Sequence, residues 1–473
     1  MAREQNFLRI FYVFLGLSSA TVLPVQFVLT DVLNVQPAEF EIIFKIAASL
    51  WMVKFVIGFA CNRFVNRVES YKWLLTVMLT LNSIAWLFLS SWSPIDLTHN
   101  KSAIIGLLWV VFSSLCVCDV ATDGRMVKYV QLENANEVGR TQTYTWAARS
   151  VGHLIGGIAV TILIERHGTL KGKVSPQQFI DGFVILPILF IMILWGGIEP
   201  ARRTHEMDVP SISTFCDTLS TVFSSVRKNH KIILFLIVLF LTPSTGSNMY
   251  LYLSESIEHH GLGFGTDILG IIGIVHSIAC IIGALVYQNC CTRRNTRHLF
   301  IGAILFGTLL SLSQLILLTG IYKDIGLSPK VFVISDDVVS SILDEFLMLP
   351  LMIVLANQIP SGYETVGYAL FTSIENIVSA LSTLISAGMT EALGIVRNSK
   401  DNSINFDQLW IMVIICAASS LIPLALIGWV PKQISTYRNI PGDEIEESEI
   451  ELTGKPIHEI GAPDSDDEYA SSV

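Results

Sequence analysis

The sequence predicts an all-α integral membrane protein of twelve transmembrane helices in two six-helix halves, and three observations carry that prediction. Of 473 residues, 52% are hydrophobic and 15% charged, with a mean hydropathy of +0.58, whereas a soluble domain carries about 25% charged residues. Twelve segments reach the roughly 20 mostly apolar residues that a span requires. The longest interior connection falls between the sixth and the seventh.

The spans run approximately over 8–30, 38–61, 71–91, 102–126, 142–164, 178–198, 230–253, 266–287, 297–320, 331–356, 366–393 and 407–430. The first has a basic flank, but its apolar run is too long for a signal-peptide core and no small-residue cleavage site follows, so it is expected to be retained. Four regions follow: an N-terminal six-helix half (1–198), a linker (199–229), a C-terminal six-helix half (230–432) and an acidic disordered tail (433–473). Within the linker, Ser211 to Val226 suits a surface amphipathic helix. The tail holds eleven acids between Asp443 and Glu468 against Lys455 alone, so it accounts for the whole net charge of −10 and the membrane body is neutral.

Basic residues set the direction of insertion. The side that holds both termini and the linker carries 19 Lys and Arg and the opposite side 8, which places termini and linker in the cytosol. The 5/6 loop "ERHGTLKGKV" runs against this trend. Asn100-Lys101-Ser102 is a glycosylation sequon on the outer side, close to the membrane. No organellar signal is evident, so the plasma membrane is the default location. The eight cysteines form neither a disulfide framework nor a zinc pattern, and no cofactor or nucleic-acid motif is present.

Charge at bilayer depth is expensive and usually faces a bundle interior or a water-filled cavity. In "SDDVVSSILDEFLMLPL" a 3.6-residue period puts Asp337, Ser341, Asp344, Glu345 and Met348 on one face. Asp336 and Asp337 fall near the outer rim, where solvation accounts for them. Asp344 lies roughly 20 Å along its span, near the midplane, and a short carboxylate there cannot snorkel to water. Asp119 and Asp123 form an i, i+4 pair in the fourth span, Arg149 lies in the fifth and Lys54 in the second. These four are compatible both with an ion-pair network joining three helices and with a ligand or proton site. Glu375 is a further mid-helix acid. Gly152, Gly156 and Gly157 make a close-packing face. His153 and His276 read as packing residues. Trp51, Trp146 and Phe371 are able to stack on a flat ligand, although packing is the commoner role of such aromatics. No GxxxxGK[ST] loop is present to power primary transport, and "GFGTD" at 263–267 has the wrong spacing for an intramembrane aspartyl protease. The chain carries no constellation for an enzyme.

Twelve helices in two halves already suggest a secondary transporter with a site near the midplane between them. More specifically, "FLGLSSATVLPVQFVL", the Trp-x-x-Lys of Trp51 and Lys54, the Asp-x-x-x-Asp of Asp119 and Asp123 in "DVATDGRMV", and "YTWAARSVGHLIGG" resemble the folate-biopterin transporter family of the major facilitator superfamily. The block "DEFLMLPLMIVLANQIPSGYETVGYALFTSIEN" is similar to that family's helices 10 and 11, with Pro350 inside the helix, then Pro360, Gly362, Glu364, Tyr368, Ala369 and Asn376. The chain departs from the pattern at Leu50, Phe55 and Asn62. The resemblance runs from about residue 10 to residue 430 and implies the major facilitator fold and a folate or pterin cargo.

That implication matches the chemistry of the buried groups. A pterin edge offers two parallel donors that a carboxylate accepts together, and the glutamate end of folate offers carboxylates that Arg binds bidentately. The expectation is that Asp344, Glu345 or Glu375 reads the pterin edge, Arg149 and Lys54 hold the anionic tail, and Trp146 or Phe371 stacks on the ring. A dianion entering against a negative-inside potential pays about 2.3 kcal/mol per charge per 100 mV. Coupling to protons through Asp119 or Asp123 would offset this. The same fold carrying S-adenosylmethionine, a nucleotide or another small metabolite is an alternative. So is a non-transporting sensor or scaffold whose tail, with Ser448 and Ser465 in acid-directed kinase contexts, docks cytosolic partners.

Overall fold

A computed structural model describes residues 2–27, 29, 43–65, 68–91, 101–133, 139–163, 176–197, 220–222, 224, 227–360, 362–396 and 404–432. Twelve principal helices lie among them. In chain order these are α1 (Ala2–Ser19), α2 (Lys54–Val65), α3 (Val68–Ser91), α4 (Lys101–Gln131), α5 (Arg140–Leu163), α6 (Pro176–Gly197), α7 (His230–Leu241), α8 (Thr266–Val286), α9 (Thr296–Ser313), α10 (Pro329–Asn357), α11 (Glu364–Ala392) and α12 (Leu409–Ser419). Each falls on one predicted span. The sequon at Asn100, the 5/6 loop, the first nine residues of the predicted linker helix and the acidic tail lie outside the described residues.

Nine helices among the described residues are long and apolar enough to cross a membrane, while Ser49–Cys61 and His230–Leu241 are apolar but shorter. The shortening has local causes. α7 stops at Leu241, just before Thr242-Pro243, and helix resumes over Gly246–Ser254, because proline lacks the N–H that would continue the ladder. The second span is interrupted by a 3₁₀ turn at Ser49–Val53, between α-helix at 43–47 and the start of α2. The last span changes from α12 to a 3₁₀ segment at Ile422–Trp429.

Helix ends follow their sequence signals. Pro329 occupies the first turn of α10, where its missing N–H costs nothing. Asn295 caps α9 by accepting from the Arg297 N–H at 3.0 Å. Gly394 closes the end of α11 with φ of +70°. Pro350 lies inside α10, which continues to Asn357. Large apolar side chains are exposed along single faces, as with Ile271, Ile278 and Ile282 on α8, a pattern suited to lipid rather than water.

The helix order alternates direction, so the C-terminal ends of α2, α4 and α10 and the N-terminal ends of α1, α5, α7 and α11 share one side. α1 packs on α5 at the predicted small-residue face. A Cβ on Gly152 would meet the Val13 carbonyl, and one on Gly16 the Arg149 carbonyl. Between the halves, α5 packs on α8, and α11 packs on both α2 and α4. Toward the side of the termini the two halves interlock. Gln131 donates to the carbonyls of Ala356 and Ile359 at 3.0 and 2.9 Å, and Gln142 to the Tyr368 hydroxyl at 3.3 Å. Gly124 abuts Thr365, and Gly58 lies against Thr365 and Ala369.

Candidate functional site

Two groups of polar side chains occupy the middle of the bundle. In the first half, Lys54 is 3% exposed and reaches Asp119 at 2.5 Å and Asp123 at 3.7 Å. Residues three and four apart share a helix face, so Asp119, Thr122 and Asp123 all look from α4 toward α2 and α1. Tyr12 of α1 donates its hydroxyl to Asp123. The Lys54 ammonium also lies 4.3 Å from the Trp51 ring centroid, an arrangement that an aromatic face favours. Of the four charges expected to form a network, Lys54, Asp119 and Asp123 are joined in this conformation, and Arg149 of α5 is not among them.

The reach of Lys54 corrects its expected role. Its charge is shared between two carboxylates and closed off from solvent, so it is not free to hold an anionic tail in this conformation. Phe371 is a second correction: at 2% exposure it belongs to the hydrophobic core and offers no face for stacking. Trp146 remains half-buried on α5.

Arg149 and Glu375 behave differently. Both are half-buried, and neither has an ion-pair or hydrogen-bond partner among the described residues. Glu375 nonetheless lies within the field of Lys54, Arg149 and Asp119, and Arg149 within that of Asp123 and His153. A cation and an acid therefore stand near each other at mid-depth with their hydrogen-bonding capacity unused. Tyr368 on α11, 1% exposed, hydrogen-bonds Trp146 and lies within the field of both Asp123 and Glu375.

The second group joins α8 to α10. His276 Nδ1 lies 3.5 Å from Asp337 Oδ1 and 2.8 Å from Ser341 Oγ, and its Nε2 lies 3.6 Å from Cys280 Sγ. Asp337 is thus partnered rather than simply solvated at the rim, and His276 is a polar partner rather than a packing residue. Asp336 accepts from the Ser313 hydroxyl at 3.4 Å. One oxygen of Asp337 and one of Glu345 are buried with no partner among the described residues. Asp344 is exposed yet close enough to His276 and Asp337 to feel both, as expected of a carboxylate that faces an internal space.

Sequence reasoning missed Tyr12, His276 as an Asp337 partner, and Glu133, and it named Tyr368 only as part of the helix 10 and 11 motif, without its contacts. Glu133 lies just beyond α4 and accepts from the N–H groups of Arg140 (3.1 Å) and Thr141 (2.5 Å), so it neutralises the open N-terminus of α5. Burial pushes the Glu133 carboxyl upward, against the pull of these hydrogen bonds. A Glu shortly before a predicted helix start was the available signal. No described group of three or more His, Cys, Asp or Glu is placed to hold a metal ion.

Known proteins share both the sequence and the fold. The chain is 28% identical over 424 residues to the "Folate-biopterin transporter" of Synechocystis sp. (strain ATCC 27184 / PCC 6803 / Kazusa), covering 88% of this chain and 79% of that one. It is 24% identical over 419 residues to "Folate transporter 1" of Plasmodium falciparum (isolate 3D7), covering 86% and 76%. Among solved structures, the major facilitator superfamily proton:xylose symporter XylE bound to 6-bromo-6-deoxy-D-glucose superposes with a TM-score of 0.62 at 14% identity, covering 91% of this chain and 96% of that one. This likeness establishes the major facilitator fold. The sequence model of the BT1 family matches residues 16–449, and the chain belongs to that family.

Proposed function

We propose that the protein is a secondary active transporter that moves folate or a biopterin-type pterin across a membrane by alternating access, coupled to protons. The observation that carries this reading is the unpartnered Arg149 and Glu375 at mid-depth, with Asp344 and Glu345 as further mid-depth acids beside His276 on α8. The relatives named as folate transporters supply the cargo class. Arg149 would hold the cargo's carboxylates as a planar fork. Glu375, Asp344 or Glu345 would accept the paired donors of the pterin edge, and Trp146 would cover the ring.

The lock between α4, α5, α10 and α11 lies on the side of the termini, so we read this conformation as loading from the opposite side, where the halves still touch through Gly270 of α8 and Thr161 of α5. With termini and linker in the cytosol, and the plasma membrane as host, that side is extracellular. Proton coupling in the first half then follows from the Lys54 network. A proton taken by Asp119 or Asp123 removes one acceptor from Lys54, and the freed ammonium becomes available to the cargo in a later state of the cycle.

The test is uptake of labelled folate into liposomes that hold the purified protein, with and without an inward proton gradient. Saturable, gradient-stimulated uptake that unlabelled biopterin competes away is expected. If folate neither enters nor exchanges, the cargo assignment falls.

A further inference from the structure

Resting on that transport reading, one proton per dianionic cargo would still move a net negative charge inward, at about 2.3 kcal/mol per 100 mV. A second proton site would make the step electroneutral. We propose that His276 and Asp337, held together by Ser341, form that second proton-binding site, in the half opposite the Lys54 network.

The hydrogen-bond directions define the site. Ser341 donates its one hydroxyl hydrogen to the Asp337 backbone carbonyl at 2.6 Å. Its oxygen must therefore accept at the 2.8 Å contact with His276 Nδ1, so Nδ1 carries a hydrogen, which Asp337 Oδ1 also faces at 3.5 Å. The tautomer follows from this network. Nε2 is then the nitrogen that gains and loses a proton, and its neighbour at 3.6 Å is the Cys280 thiol, a weak partner that leaves it accessible. Protonation turns a lone Asp337 carboxylate into a neutral pair with imidazolium.

The position suits a carrier. At about 100° per residue, His276 points roughly opposite to the lipid-facing Ile271, Ile278 and Ile282, so its half-exposed ring opens inward. It lies ten residues from the outer end of α8, or about 15 Å deep. Deeper on the facing surface, Cys280 approaches Glu345, whose unpartnered buried oxygen provides a second acceptor. The groups that face His276 carry both signs. Asp337, Asp344 and Glu345 on α10 favour its cation, while His153 on α5 opposes it when charged. A change in α5–α8 or α8–α10 spacing alters that balance, loading the ring from water on one side and releasing the same proton to water on the other. The step breaks and makes only N–H and O–H bonds.

The experiment measures folate accumulation in proteoliposomes at zero membrane potential, where each coupled proton is worth about tenfold per pH unit. Across one unit, the wild type should approach about 100-fold accumulation and His276→Gln about tenfold, with counterflow exchange at equal pH preserved in both. Equal accumulation by the two proteins, with counterflow intact, would overturn the second site. Loss of counterflow in His276→Gln marks a folding defect, and Asp337→Asn then provides the same comparison. If the wild type exchanges no folate, the cargo reading fails separately, and histidine-selective NMR of the purified protein decides the site. The His276 ring signal, assigned by its loss in His276→Gln, should titrate with a midpoint that Asp337→Asn shifts. A ring that does not titrate refutes the proposal.

Discussion

Replacing Lys54 with Met strips the positive charge from between Asp119 and Asp123 and leaves two buried carboxylates one helical turn apart. At 2.5 and 3.7 Å and an effective dielectric constant near 20, each gross attraction is roughly 4–7 kcal/mol. Desolvation of three buried ions consumes most of it. The cost of removing one member is then set by the charge left behind, about 3–5 kcal/mol. Asp119→Asn should cost less, about 1–3 kcal/mol, because Lys54 still has Asp123 within reach and Asp123 keeps the Tyr12 hydroxyl. The double variant Lys54→Met/Asp119→Asn leaves no unpaired charge at the 2.5 Å contact, so its loss should fall short of the summed single losses by about 2 kcal/mol or more. Unfolding in mixed micelles, followed through tryptophan fluorescence, gives all four corners of the cycle. Additivity within about 0.5 kcal/mol would refute the claim that these side chains act as one network.

Asp119→Asn should also remove gradient-driven uptake while leaving folate exchange at equal pH; full retention of gradient-driven uptake would show that the coupling proton does not sit there. Arg149→Lys keeps the charge but loses the planar fork, so the apparent affinity for folate should fall about tenfold, about 1.4 kcal/mol, with little change for a pterin that lacks the glutamate tail. Gly124→Val places a side chain against Thr365, so closure on the side of the termini should be disfavoured and cysteine-reagent access from that side should rise as transport falls. Glu133→Ala should lower the unfolding free energy by about 1–2 kcal/mol through loss of its bonds to the start of α5. Because burial raises the Glu133 carboxyl above its unfolded value, the folded state favours the protonated form. Its contribution to stability should thus be greatest below the ordinary Glu range and decline as pH rises toward the folded pKa, a slope that Glu133→Ala should flatten.

The spans, their order and the α1–α5 packing face were legible because each is written locally: apolar runs of sufficient length, and glycines four residues apart. The pairing of Lys54 with Asp119 was legible as a possibility, because four opposite charges in one third of a bundle have few other ways to be neutralised. What sequence left open was who takes the last hydrogen bond. Tyr12 looks like one more aromatic in "RIFYVFLG" until α1 is seen against α4, and Phe371 and Trp146 are equivalent as ring-bearing residues until burial separates them. His276 was misjudged because its partners lie some 60 residues away on α10. A lone histidine on an apolar helix shows nothing of the facing surface that decides whether it packs or titrates.

The two halves hold their charges in different states, and the difference bears on how a cycle would run. Lys54, Asp119, Asp123 and Tyr12 satisfy one another and are closed to solvent, on the side where Gln131, Gln142 and the glycine contacts lock the halves together. Asp337, Asp344 and Glu345 keep unused oxygens or open exposure, nearer the other side. A helix bundle cannot leave such groups unpaired at depth without a ligand, water or proton to receive them. Under the proposed function the second half is the side poised to load, and loading there would not require the Lys54 network to break. Opening toward the termini would disturb the surroundings of that network, because Tyr368, which lies within the field of Asp123, is carried on the same α11 that forms the lock. In the proposed transport cycle this would set an order: protons and cargo neutralise the second half first, and only then is the interlocked network of the first half exposed to exchange.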